Sequence, residues 1–99
     1  MRLFVDDIRP IPAGYDGARD AETAIELMTC TPYELVSLDY DLGYDRPNGL
    51  DLLHMMKENG VFPPAINIHS THPLGRKRMW DYVEENFPGC TLTAIAAYY

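Results

Sequence analysis

Three short apolar runs in this 99-residue chain each break straight into residues that carry chemistry. Leu3-Phe4-Val5 runs into Asp6-Asp7, Leu35-Val36-Ser37-Leu38 into Asp39-Tyr40-Asp41, and Ala65-Ile66-Asn67-Ile68 into His69-Ser70-Thr71-His72. Uninterrupted apolar runs of this length suit strands buried on both faces, as in parallel sheets. Helical patterns separate them. Asp20 is an N-cap ahead of an i, i+3, i+4, i+7 stripe of Ala21, Ala24, Ile25 and Met28, and Pro32 stops that helix by Thr31. A second helix starts near Asn48 with Gly49, Leu52, Leu53 and Met56 on one face, and Asn59-Gly60 closes it. A third begins at about His72-Pro73, carries Met79, Trp80, Val83 and Phe87, and ends at Pro88-Gly89.

Tyr15 to Arg19 reads as a brief second strand weakened by Gly17, and Thr91 to Ala97 as a last strand. The order implies a small, doubly wound α/β domain with a mainly parallel sheet. Sheets of this kind bind ligands beyond the carboxyl ends of their strands. All three chemical clusters should therefore meet at one edge.

Length and charge narrow the function. A chain of this size makes a single domain spanning residues 1–99, with one core. Fifteen acids against eight bases give a net charge of −7, which excludes sequence-independent binding to duplex DNA. A small anionic ligand stays open, because a binding site is local. Cys30 and Cys90 have no metal-ligand spacing and read as buried, bland thiols of a reducing, cytoplasmic setting. Met1-Arg2 leads into only three apolar residues before Asp6, too few for the core of a signal peptide, and no stretch is apolar enough to span a bilayer.

Four aspartates converging without a lysine among them repel one another unless some take up protons or a cation sits between them. Hard oxygen donors favour Mg²⁺ or Mn²⁺. His69 and His72 share that edge, and imidazole can act as acid or base near neutrality. His69 is the stronger catalytic candidate, while His72 also reads as the cap of the third helix. That helix opens with Arg76-Lys77-Arg78, three of the eight basic residues. Cations there oppose the helix dipole, a cost that a docked anion would relieve. Arg76, and Arg9 beyond the first strand, are candidate phosphate clamps, with Ser70 and Thr71 at the same edge.

Leu35 to Glu58 resembles the third strand and following helix of response-regulator receiver domains. The resemblance implies that Asp39 corresponds to the phosphoacceptor and Asp6-Asp7 to the acid pair that binds Mg²⁺. It implies a flavodoxin- or receiver-like three-layer sandwich. Two features depart from an ordinary receiver: no lysine follows Lys77, and Arg9 to Gly14 is a proline-rich loop that shortens the first crossover.

The stretches LFVDDIRP, SLDYDLG, NGLDLL and HSTHPLGRKRM are similar to those of the cyclic-phosphate-processing receiver family. That family often has histidine where this chain has Tyr40, and asparagine where it has His72. The resemblance implies a metal-dependent phosphoesterase acting on a cyclic phosphate, at an RNA 2′,3′-cyclic end or in a cyclic nucleotide signal. Asp6, Asp7 and Asp39 would hold Mg²⁺ or Mn²⁺. Asp39, Asp41, His69 and His72 would be catalytic, and Arg9, Tyr40, Ser70, Thr71 and Arg76 would bind substrate. An alternative is a protein that sequesters a cyclic nucleotide immune signal without turnover; a third is a phosphoacceptor receiver. The apolar end, Thr91 to Tyr99, can leave a strand edge that pairs two copies into a homodimer.

Overall fold

The computed structural model describes residues 1–95. Five strands form one parallel sheet: β1 (Arg2–Val5), β2 (Tyr15–Ala18), β3 (Leu35–Leu38), β4 (Ala65–His69) and β5 (Thr91–Ile95). Their spatial order is β2-β1-β3-β4-β5. Three helices connect them: α1 (Ala21–Cys30), α2 (Gly49–Glu58) and α3 (Pro73–Asn86).

Each helix starts where its cap dictates. Asp20 accepts the Thr23 N–H at 2.7 Å. Asn48 and Asp51 exchange side-chain and backbone bonds in a capping box. Nδ1 of His72 accepts the Gly75 N–H at 2.9 Å, and Pro73 takes the first helical position. The expected last strand ends at Ile95, and the remainder of that expectation lies outside the described residues.

Strand register divides the sheet into two different faces. Leu3, Val5, Ala18, Val36, Leu38, Ile66 and Ile68 join the buried side of all three helices in one apolar core. On the other face Phe4 lies level with Gly17 and Ser37, Ser37 with Asn67, and Asn67 with Thr93. Right-handed crossovers from β2 onward run in one direction across the sheet, so α1, α2 and α3 share a face. The fold is thus the parallel, receiver-like α/β one that the sequence predicts, with a thinner layering than the three-layer expectation. The β1–β2 connection is a loop, and its Ile11 side chain fills the space where Gly17 would carry a Cβ, 2.7 Å away. Among the described residues no helix covers that face.

The thiols differ from the expectation of burial. Cys30 is exposed and Cys90 half-buried, and both are free. The inward stripe of α1 is Ala21, Ala24 and Met28, so Cys30, two positions past Met28, points off it.

Candidate functional site

The ends of β1, β3 and β4 bring Asp6, Asp39 and His69 together. One ligand atom from each lies within 4.8 Å of the others, and all three side chains are buried. Backbone bonds hold the approach: the Asp6 N–H donates to the Ala18 carbonyl, and the Asp39 N–H to that of Val5.

The cation among these carboxylates is supplied by the chain itself. Arg9 Nη1 donates to Asp6 Oδ2 at 2.9 Å and to Asp39 Oδ2 at 3.1 Å. The loop that shortened the first crossover is what delivers it. Oδ1 of Asp6 accepts the backbone N–H groups of Ile8 and Arg9, folding the chain back as it leaves β1. Arg19 pins the loop from outside by donating to the Asp6 and Arg9 carbonyls.

The two buried aspartates respond in opposite directions. Burial alone would raise Asp6, but the hydrogen bonds from Arg9, Ile8 and His69 outweigh it and hold its carboxyl below the usual range. At Asp39, burial and the nearby Asp6 charge prevail over Ser70, Arg9 and the Tyr40 N–H, and its pKa is pushed up to about 6. Burial holds His69 below its ordinary value, partly offset by Asp6.

Behind His69, a polar chain crosses the helix-free face of the sheet. Thr93 Oγ1 donates to Asn67 Oδ1 at 2.8 Å, and Asn67 Nδ2 donates to Ser37 Oγ at 3.1 Å. Ser37 Oγ lies 2.7 Å from His69 Nδ1, and His69 Nε2 lies 3.0 Å from Asp6 Oδ2. One assignment fits both ring contacts: the Ser37 hydroxyl donates to Nδ1 of a neutral His69, whose Nε2–H donates to Asp6. Phe4 stacks on the ring with centroids 4.3 Å apart.

The open cleft above this cluster has a volume of about 320 Å³ and is lined by Asp7, Ile8, Arg9, Asp39, Asp41, Ser70, Thr71, His72 and Pro73. Asp7 and Asp41 thus face the cleft rather than joining the buried cluster, and Asp41 is further engaged by the Gly43 N–H. His69 stands behind Asp6 with no exposed surface, outside the cleft lining. His72 is exposed, with Nδ1 spent as the cap and Nε2 its remaining nitrogen. Tyr40 lies outside the lining: its ring packs on His72 and fills the space over Gly75, and its hydroxyl accepts from Asn48 Nδ2. Arg76 also lies outside it, in the neighbouring groove between α3 and β5.

Sequence reasoning overlooked Ser37, Asn67 and Thr93. Their signal is a polar residue at matching positions of three adjacent strands, which places all of them on one face.

A parallel five-stranded sheet with acids at the carboxyl ends of its strands defines a receiver-like domain. Solved receiver domains agree in fold. A signal receiver domain of an HD domain-containing protein from Pseudomonas fluorescens Pf-5 is similar at 18% identity and TM-score 0.66, covering 98% of this chain and 82% of that one. The receiver domain of the Francisella response regulator 1452 is similar at 19% identity and TM-score 0.62, covering 98% and 84%. Among curated proteins, none matches this chain. The chain belongs to the cyclic-phosphate processing receiver domain family, whose model matches residues 1–85. No helix among the described residues is long and apolar enough to cross a membrane.

Proposed function

We propose that this domain opens a cyclic phosphate by hydrolysis in the cleft over Asp39. The observation that carries the reading is the Asp6–Arg9–Asp39 bridge, a guanidinium held by two buried carboxylates at the floor of that cleft. A substrate phosphate entering there finds a fork of donors in Arg9, the Ser70-Thr71 turn and the outer nitrogen of His72.

Asp6 and Asp39 also suit a divalent cation, with Asp7 on the cleft wall as a third carboxylate. Asp6 already accepts four hydrogen bonds, so Arg9 must leave it before a cation enters, and the substrate phosphate gives Arg9 a place to go. Mg²⁺ or Mn²⁺ held there would polarise a phosphoryl oxygen and acidify a water. Asp41, exposed on the rim, takes a proton from the attacking water. The water oxygen bonds to phosphorus, the ring P–O bond breaks, and the departing oxygen takes a proton from solvent. The product is a phosphomonoester.

A second reading, binding without turnover, draws on the state of the histidines. His69 is buried and His72 is committed as a cap, so neither is free to shuttle protons. Titrating the protein with a 2′,3′-cyclic mononucleotide in Mn²⁺, then recovering the ligand for mass spectrometry, separates the two. A phosphomonoester supports hydrolysis; unchanged ligand retained by the protein supports sequestration; neither turnover nor retention removes both.

A further inference from the structure

Pro73 lines two clefts at once. One is the site over Asp39; the other is a groove of about 270 Å³ lined by Pro73, Arg76, Lys77, Trp80 and Ala94. The four α3 residues are spaced i, i+3, i+4 and i+7, so one helix stripe carries a ring, two cations and an indole along the groove. Ala94 of β5 supplies the opposite wall with a side chain too small to close it.

The groove has an unmet need. Arg76 Nε is sealed from solvent and has no hydrogen-bond partner among the described residues. Lys77 pairs with Asp81 on its outer side, and that pair is exposed. In a chain of net charge −7, the Arg76-Lys77-Arg78 cluster concentrates positive charge beside a site that takes a phosphate.

We infer that this groove is a second subsite, in which a neighbouring phosphate engages Arg76 and Lys77 and a nucleobase packs on Trp80. The inference rests on the cyclic-phosphate reading above and deepens it. The preferred ligand then carries a second phosphate and base one nucleotide away, as an oligonucleotide end or a cyclic dinucleotide does and a cyclic mononucleotide does not. Indole stacking and a guanidinium fork supply affinity with little demand on base identity.

Trp80 is the only tryptophan in the chain, which provides a local readout. Three probes are titrated into the full chain: adenosine 2′,3′-cyclic phosphate, the dinucleotide ApA with a 2′,3′-cyclic end, and cyclic di-AMP. The expected result is at least tenfold tighter binding of one two-base probe over the mononucleotide, with Trp80 emission changing for that probe alone. Whichever two-base probe does this names the source. Arg76→Gln and the exposed Lys77→Gln each bring the affinity ratio toward one, with far-UV circular dichroism confirming the fold. Equal binding of all three probes, or a preference that both variants retain, overturns the second subsite and leaves the cyclic-phosphate reading standing. Binding of none of them overturns both.

Discussion

His69 Nε2 sits 3.0 Å from Asp6 Oδ2, across 63 positions of sequence, with both side chains fully buried. The contact fixes which imidazole nitrogen carries the proton, because Ser37 satisfies the other one. It also adds a fourth hydrogen bond to a carboxylate that already accepts three, which keeps Asp6 ionised as the partner of Arg9.

Ser37→Ala removes both the donor to His69 Nδ1 and the buried acceptor of the Asn67 Nδ2–H. The expected loss is about 1–3 kcal/mol in urea unfolding. Nitrogen-15 spectra of the histidine rings should show His69 leaving the single Nε2–H form. A variant as stable as wild type, with an unchanged ring, would contradict the assigned hydrogen-bond chain.

The raised Asp39 pKa makes a signed prediction. Between the ordinary carboxylate value and about 6, the folded chain binds a proton at Asp39 that the unfolded chain has released, so this group's contribution to stability falls as pH rises through that window. His69 works the other way: its folded pKa is depressed, so its contribution is lost as pH falls below its unfolded value. Asp39→Asn cancels the first effect and keeps the second. The stability difference between variant and wild type should therefore shift in the variant's favour by roughly 1–3 kcal/mol from pH 4 to pH 7. A difference flat with pH would mean that Asp39 titrates normally.

Arg9 occupies the oxygens of Asp6 and Asp39 that the proposed divalent cation would need. Arg9→Gln leaves Asp6 and Asp39 facing each other with their compensating charge removed. Mn²⁺ affinity should rise about tenfold or more, on the order of 1.4 kcal/mol, as read by isothermal titration calorimetry. Unchanged affinity would place the cation away from the bridge.

Two glycines let α2 and α3 approach the site. A Cβ at Gly49 would lie 2.2 Å from the Asp39 carbonyl oxygen, which is backbone, whereas one at Gly75 would meet the Tyr40 ring at 2.3 Å. The first obstacle cannot rotate away. Gly49→Ala should lower thermal stability, by roughly 2–4 kcal/mol, and shift the Asp39 backbone resonances. Gly75→Ala should chiefly displace Tyr40 from His72, visible as a changed ring-current shift. A tolerated Gly49→Ala would show that the β3–α2 approach is looser than the structure has it.

Much of this architecture is readable from local chemistry. Asp20, Asn48 and His72 each stand where a cap is needed, and Pro32 and Pro88 stop what precedes them. The apolar runs ending in acids place Asp6, Asp39 and His69 at one edge, because parallel strands in register must end together. The roles of these groups were less legible. The sequence shows four acids and no lysine between them, but not that the short proline-rich loop folds Arg9 back into the gap. Nor does it separate Asp6, sealed under the loop, from Asp39 at the cleft floor and Asp7 and Asp41 on its walls; Asp6 and Asp7, neighbours at a strand end, turn opposite ways. Arg76 follows the helix stripe into the next groove, a matter of rotation about α3 that charge counting does not reveal.

The central claim is that the cleft over Asp39 opens cyclic phosphates. The direct measurement is phosphorus-31 NMR of a 2′,3′-cyclic nucleotide incubated with wild type or Asp39→Asn, with Mn²⁺ and with EDTA. The account predicts a phosphomonoester signal growing with wild type in Mn²⁺, and at least a hundredfold slower with the folded variant. An intact cyclic phosphate in every tube, or equal rates for the two proteins, would contradict it.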